Sequence, residues 1–147
     1  MKKYYISYSD HSDDEQRAIW VEYVLRVKLG YKTIMRKYDL NYGDNISIFI
    51  DDALKWADEV VIILTDEYMK SDNCKEEYSN AKKRFPIVFD SCVREGAFGS
   101  LYCLNLTNLE INYAGKELIQ AINGDRTQRP EEEPFLPRSN NSIAMRE

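Results

Sequence analysis

The sequence predicts an α/β sandwich in which helices cover both faces of a parallel sheet. Short β-branched or aromatic runs alternate with helix-length amphipathic segments through residues 1–124. One run, Val60–Leu64, is apolar at consecutive positions, which is typical of a strand buried on both faces. Alternation of this kind indicates right-handed crossovers between parallel strands. The simplest arrangement is a five-stranded flavodoxin-like sheet in the order 2-1-3-4-5.

The first half of the chain supplies two of the predicted strands and two helices. Tyr4–Tyr8 is aromatic and β-branched, as expected of the first strand. Ser12 and Glu15 have the spacing of a capping box, so a helix is expected from there to about Leu29, with Gly30 ending it. The next elements are a strand, a loop and a helix: Tyr31–Met35, Arg36–Asn45 and Ile46–Trp56.

The second half continues the alternation. A third strand is expected over Asp58–Leu64, followed by a helix between Asp66 and Arg84 that is broken near Ser71. Pro86 lacks an N–H donor, so it indicates the start of the fourth strand, Phe85–Phe89. The last elements are a loop, a strand and a helix stopped by Gly124: Ser91–Ser100, Leu101–Leu106 and Tyr113–Asn123.

Composition and charge exclude several classes of function. A net charge of −5 disfavours binding to a nucleic-acid backbone, which needs a basic surface. No apolar stretch approaches the roughly 20 residues of a membrane span. The apolar run near the N-terminus is too short to be the hydrophobic core of a signal peptide. Three cysteines and one histidine have no zinc-site spacing, so no metal is expected. A reducing cytoplasm is the expected compartment.

The composition changes after the last predicted helix. Residues 129–137 contain three prolines and three adjacent glutamates, and a polar stretch, residues 139–147, follows. These features are typical of a linker or tail. We therefore expect one domain over residues 1–124 and a linker over residues 125–147, which leads to a further domain in a longer protein.

Glu77 is the most informative candidate for chemistry. Cys74, Glu77 and Ala81 are three and four residues apart, so they share one stripe of the predicted third helix. Because the other two members are small and apolar, the stripe and its carboxylate are expected to face the protein. Carboxylates are rarely buried without a partner, so this one is a candidate for function.

Three segments together resemble the Toll/interleukin-1 receptor (TIR) domain family, particularly its bacterial members. The first follows the first strand, the second lies in the loop after the second strand, called the BB loop, and the third opens the helix that carries Glu77. They are residues 5–10 (YISYSD), 38–44 (YDLNYGD) and 71–77 (SDNCKEE). The resemblance covers about residues 2–124 and implies the same fold as the periodicity.

The resemblance also implies an activity. In the enzymatic branch of this family, a glutamate three residues after a cysteine is catalytic in cleaving NAD+, and Glu77 is the matching position. Glu76 is the alternative, although the helical stripe favours Glu77. NAD+ would then be a substrate, with no cofactor, and the products would be nicotinamide with ADP-ribose or a cyclic isomer. Copies of the domain would associate to complete the pocket, in a bacterial immune or antiphage setting.

Further contacts to NAD+ are expected where the strands end. Tyr8 either stacks on nicotinamide or belongs to the core. Arg36, or Lys37, either meets the pyrophosphate or is solvated. Asp39 either binds ribose or caps its own turn. Five candidates remain. Ser9 and Asp10 follow the first strand, Gly43 is expected to provide an unusual backbone angle in the BB loop, and Asn73 and Cys74 lie near Glu77.

Other interpretations remain open at this point. Asn73 occupies a position where many family members carry an aromatic residue, which leaves the product undecided. The family also contains adaptors that act only through contacts between TIR domains. A phosphoacceptor receiver domain is disfavoured because Asn105 lies where a lysine is needed after the fifth strand. A nucleoside-cleaving transferase with a similar sheet lacks the BB-loop match.

Overall fold

The sheet has the predicted topology. A computed structural model describes residues 1–124 and 129–138. It contains a parallel sheet in the order β2-β1-β3-β4-β5. The strands are β1 (Lys3–Ser7), β2 (Lys32–Met35), β3 (Glu59–Leu64), β4 (Arg84–Val88) and β5 (Leu104–Asn105).

Helices connect the strands and cover both faces of the sheet. They are α1 (Ser12–Tyr23), α2 (Arg36–Asp39), α3 (Ile46–Trp56), α4 (Asp66–Lys70), α5 (Asp72–Asn80) and α6 (Ile111–Ile122). A π-helical turn, Val24–Lys28, continues α1, and a 3₁₀ turn, Gly96–Phe98, precedes β5. The predicted break at Ser71 is confirmed, because Ser71 ends α4 and caps α5.

Alternation along the strands divides the core in two. On one face, Tyr4 and Ile6 of β1 pack with residues of α1 and α6. On the other face, Tyr5 packs with residues of α3, α4 and α5. Successive side chains of a strand point to opposite faces, so a strand between two helical layers must be apolar at every position. All six residues of β3 are buried, as the sequence predicts.

The BB loop begins with a helical turn that the sequence analysis missed. Residues 36–39 form α2, whereas the prediction was a loop from Arg36 to Asn45. The Asp39 carboxylate accepts from the Met35 N–H at 2.8 Å, and the Leu40 N–H donates to the Arg36 carbonyl at 3.1 Å. These two local bonds close the turn. Beyond it, Gly43 has a φ of +93°, so it does serve a backbone angle there.

The predicted capping box at Ser12 and Glu15 is wrong. Ser12 is already inside α1, and His11 is the N-cap residue. His11 Nδ1 accepts from the Asp13 N–H at 3.3 Å, and the His11 carbonyl accepts from the Glu15 N–H at 3.0 Å. A ring nitrogen therefore takes the place of the serine oxygen.

Two details of the fourth and fifth strands also differ from the predictions. Pro86 lies in the middle of β4, not at its start. The Val88 carbonyl points toward β5 and accepts from the Leu106 N–H. The backbone nitrogen of Pro86, two residues earlier, points to the same side, but β5 does not extend that far, so no sheet hydrogen bond is lost. β5 is two residues long rather than six. Leu101 lies outside β5, and its carbonyl accepts from Arg94 Nη1 at 3.1 Å.

The predicted linker is described only in part. Residues 129–138 contain no helix or strand and are exposed, whereas residues 125–128 and 139–147 lie outside the described residues. The proposed boundary near residue 124 stays a prediction.

Candidate active site

Glu77 is buried on α5, at the edge of the sheet where β1 ends. The helix starts at Ser71, whose Oγ accepts from the Cys74 N–H at 3.2 Å. With this start, Cys74, Glu77 and Ala81 all face inward, and Glu77 is 2% exposed. Glu76 is exposed. The helical register therefore buries Glu77 and leaves Glu76 in solvent, as the stripe predicts.

Two hydroxyl groups bind the Glu77 carboxylate, and a third binds one of these two. Ser7 Oγ donates to Glu77 Oε1 at 2.7 Å, and Tyr5 OH donates to the same oxygen at 3.2 Å. Tyr68 OH lies 2.8 Å from Ser7 Oγ. Since Ser7 has one proton and gives it to Glu77, Tyr68 is the donor in the second bond. Both direct donors use Oε1, so in the described part of the chain Oε2 is left for another group.

The sequence analysis missed Tyr5, Ser7 and Tyr68 as site residues. A signal for two of them was present. Tyr5 and Ser7 are two residues apart on β1, so they share a face, and both carry hydroxyls that need partners when buried. Tyr68 had no such signal, because its side chain reaches Ser7 from a separate helix.

Arg36 lies beside the carboxylate and is held by groups at the end of β1. Its Nη2 donates to the Tyr8 carbonyl, and its Nη1 lies 3.2 Å from Asp10 Oδ1. The Arg36 guanidinium carbon is 4.5 Å from the centre of the Tyr8 ring, within cation–π range. Arg36 Nε is buried without a partner among the described residues. The guanidinium is thus close to Glu77 but does not bind its oxygens directly.

Burial dominates the electrostatics of the site. It raises the pKa of Glu77 above the usual range, although the bond from Ser7, the charge of Arg36 and the bond from Tyr5 act in the opposite direction. Burial opposes the charge on Arg36, but nearby anionic groups, Glu77 first, raise the pKa of Arg36 overall. The site holds its carboxylate less acidic than a free one while keeping a cation beside it.

The other predicted residues divide into two groups. Tyr8, Asp10 and Arg36 meet at the end of β1, where Tyr8 is 3% exposed with Arg36 over its ring. Cys74 lies one turn before Glu77, where burial raises the pKa of its thiol to about 11. Asn73 is exposed at the start of α5.

Three predicted residues do not reach Glu77. Ser9 Oγ donates to Asp14 at 2.6 Å, so its hydroxyl belongs to a second buried cluster. Asp39 closes the α2 turn through Met35 and is exposed, so the predicted turn role is confirmed, and the ribose contact stays a prediction. Gly43 is an exposed residue of the BB loop.

The carboxylate is closed off in this conformation. Among the described residues, Glu77 lines none of three cavities of about 620, 380 and 250 Å³. The one of about 620 Å³ lies between α4, α5 and the loop before β5. No group of three or more His, Cys, Asp or Glu side chains in residues 1–124 and 129–138 could hold a metal ion.

Comparisons with known proteins identify the family. A family model described as the TIR domain matches residues 5–122, which is most of the chain. The chain belongs to the TIR domain family. TIR domains generally associate with other TIR domains, and the family includes both NAD+-cleaving enzymes and adaptors without activity. No curated protein sequence matches the chain.

Solved structures give the same fold. The TIR domain of the Toll-related receptor TRR-2 from Hydra magnipapillata aligns with a TM-score of 0.69 at 16% identity, covering 84% of this chain and 99% of that one. A prokaryotic SEFIR domain aligns with a TM-score of 0.66 at 22% identity, covering 83% and 99%. At these identities the likeness shows the fold alone. Among the described residues, no helix has the length and hydropathy that a bilayer crossing requires.

Proposed function

We propose that this TIR domain cleaves the bond between nicotinamide and ribose in NAD+, with Glu77 as the catalytic residue. The observation that carries the proposal is a buried carboxylate at the carboxyl edge of a parallel sheet, held by two hydroxyls on one oxygen. Such edges are where ligands bind in open α/β folds. Glu77 has a raised pKa and makes no direct ion pair within residues 1–124 and 129–138, which is typical of a carboxylate in a functional site.

One carboxylate suits this reaction. Nicotinamide leaves as a neutral molecule from a pyridinium cation, so the leaving group needs no proton, unlike that of an O-glycosidase. As the C1′–N bond breaks, its electron pair goes to the nicotinamide nitrogen and positive charge develops on the ribose. Glu77 Oε2, which lacks a donor within the described residues, would face that charge and stabilise it. Burial strengthens the attraction because the local dielectric is low.

The reaction is completed by a nucleophile at C1′. Attack by water, with loss of a proton, gives ADP-ribose, whereas attack by a nitrogen of the adenine ring gives a cyclic isomer. Asn73 is exposed at the start of α5, where an aromatic wall against nicotinamide would otherwise stand. The choice between water and adenine therefore depends on the bound geometry of the substrate.

The closed conformation of the isolated domain supports control by association. Glu77 is 2% exposed, so the substrate can reach it only after neighbouring groups move. We infer that contact between copies, through the BB loop, opens and completes the pocket. The domain would then act as the effector of a larger bacterial defence protein, and a single copy would be almost inactive.

The test is nicotinamide release by concentrated or crowded protein incubated with NAD+. The Glu77→Gln variant keeps the volume of the side chain and removes the anion. It is expected to lose about 10²- to 10³-fold or more in rate, the range seen when one electrostatic stabiliser is removed. Chromatography of the products separates ADP-ribose from a cyclic isomer.

Glu76→Gln is the matched control, since it makes the same change one residue away on the exposed side of α5. It should keep the wild-type rate, and both variants should keep the wild-type circular dichroism spectrum. Wild-type activity in Glu77→Gln would remove Glu77 from the mechanism.

An adaptor without activity is the second candidate function. Apolar side chains are exposed at the BB loop and the start of α3, namely Tyr42, Ile46 and Ile48. These side chains favour a contact surface whether or not the domain is an enzyme. Complete absence of nicotinamide from concentrated wild-type protein, together with self-association, would favour the adaptor.

A further inference from the structure

A second buried carboxylate, Asp14 on α1, lies outside the predicted site. Asp14 is 1% exposed and fully partnered. Its Oδ2 accepts from Ser9 Oγ and from Thr65 Oγ1, each at 2.6 Å, and its Oδ1 accepts from Arg17 Nη1 at 2.9 Å. The carboxylate therefore joins the segments that follow β1 and β3 to helix α1.

Thr65 links this carboxylate to α4. Thr65 is the N-cap of that helix, and its Oγ1 accepts from the Tyr68 N–H at 3.1 Å. Its single hydroxyl proton goes to Asp14, so Asp14 determines how the lone pairs of Oγ1 point toward Tyr68. The β-branched side chain of threonine has few rotamers, which makes this arrangement stiff. One end of Tyr68 is thus fixed from α1.

The other end of Tyr68 reaches the candidate active site. Tyr68 is fully buried, and its ring packs edge-on against Phe98 with centroids 6.3 Å apart. Its hydroxyl donates to Ser7, which donates to Glu77 Oε1 at 2.7 Å. A continuous series of contacts therefore runs from Asp14 through Thr65, Tyr68 and Ser7 to Glu77.

We propose that Thr65, oriented by Asp14, is a positioning residue for Glu77. It fixes the start of α4 and, through Tyr68, the direction in which Ser7 offers its proton to Oε1. Its effect on catalysis rests on the proposed function, whereas its effect on the Glu77 carboxylate does not.

A positioning role differs from simple helix capping in one measurable property. A hydrogen bond to the charged form of a carboxyl group lowers its pKa, so weakening the Ser7 bond must raise the pKa of Glu77. Replacing Thr65 leaves in place the other titratable and charged groups that face Glu77. They come from β1, the segment after β1, α2, α4 and α5, in the order Tyr5, Asp10, Arg36, Tyr68 and Cys74.

Thr65→Val and Thr33→Val form a matched pair for the test. Thr33 Oγ1 donates to the buried carboxylate of Glu22 at 2.6 Å. Glu22 also accepts from Arg26, which lies in the π-helical turn after α1, at 2.7 Å. The two substitutions remove the same kind of bond, at the same length, but only Thr65 connects to Glu77. Thr65→Ser restores the hydroxyl and is the rescue variant.

The primary measurement is the titration of the Glu77 side-chain carboxyl by ¹³C NMR in the full chain, assigned with Glu77→Gln. The Glu77 midpoint is expected to move to higher pH in Thr65→Val and to stay at the wild-type value in Thr33→Val and Thr65→Ser. In parallel, nicotinamide release by Thr65→Val is expected to fall roughly three- to tenfold on the acidic side of its pH profile, the amount that weakening one bond to a charged group allows.

The outcomes separate the positioning role from the proposed function. An unchanged Glu77 midpoint in Thr65→Val, or equal shifts in both valine variants, overturns the positioning role. A shifted midpoint in a protein that releases no nicotinamide supports positioning and counts against NAD+ cleavage. If Thr65→Val does not fold, Tyr68→Phe removes the next contact in the series, the bond from Tyr68 to Ser7. An unchanged Glu77 titration midpoint in Tyr68→Phe would also overturn the proposal.

Discussion

At the scale of single residues, the candidate active site consists of Glu77 and of hydroxyls far from it in the chain. Tyr5 and Ser7 are 72 and 70 residues away, yet both bind Oε1. The helical stripe predicts that Glu77 faces inward because that depends only on spacing within one helix. Its partners could not be predicted in this way, because they meet Glu77 through the packing of α5 on β1.

The raised pKa of Glu77 has a consequence for stability. Burial raises the folded-state pKa above the value near 4.5 that the unfolded chain has, so the protonated form favours folding. This contribution is fully present below the unfolded pKa and is lost as pH rises through the folded pKa. Glutamine cannot ionise, so the free energy of unfolding of Glu77→Gln, relative to wild type, should increase between about pH 4 and pH 8.

Urea denaturation at a series of pH values measures this difference. Glu76→Gln, which changes an exposed carboxylate, should show a nearly constant difference over the same range. A Glu77→Gln difference that is flat or that decreases with rising pH would contradict the pKa direction.

At the scale of secondary-structure elements, the order and type of the elements follow from local patterns, and the ends depend on contacts. The start of α5 is capped by Ser71 and that of α3 by Asn45, both ordinary caps. By contrast, the α2 turn is closed by the bond from the Met35 N–H to Asp39, and Leu101, predicted to begin β5, lies outside the strand with its carbonyl bound to Arg94. Periodicity contains no information about such side-chain bonds.

The cap of α1 gives a test at this scale. Because His11 and not Ser12 caps the helix, His11→Ala should lower the free energy of unfolding by about 1 kcal/mol, the usual effect of losing an N-cap. Ser12→Ala should change it by less than about 0.5 kcal/mol, as for an ordinary surface position. Thermal or urea denaturation at neutral pH distinguishes the two variants. A larger decrease in the free energy of unfolding for Ser12→Ala than for His11→Ala would favour the capping box instead.

At the scale of the whole molecule, a closed site and an exposed apolar surface occur together. Glu77 is 2% exposed, whereas Tyr42, Ile46 and Ile48 at the BB loop and the start of α3 are exposed by half or more. Apolar side chains clustered on a surface favour contact with a partner. The proposed self-association would use this surface.

Initial rate per molecule should therefore rise with protein concentration, and strict proportionality of rate to concentration would count against association.

Ile46→Glu should lower the rate at a given concentration by placing a charge in the contact. Ile111→Glu is the matched control, because Ile46 and Ile111 are the first residues of α3 and α6 and both are exposed. Equal rates in the two variants would exclude the α3 surface.

The sequence by itself determined the strand order, the doubly buried β3, the break at Ser71 and the inward direction of Glu77. The last three depend on periodicity or on residue types within one element, and the strand order was predicted as the simplest one for parallel strands joined by right-handed crossovers. Only the tertiary structure decided that Ser7 and Tyr5 bind Glu77, that Arg36 lies against Tyr8, and that Asp14 reaches Tyr68 through Thr65. These contacts join residues of separate elements, and their geometry is fixed by how the helices pack on the sheet, which no local pattern specifies.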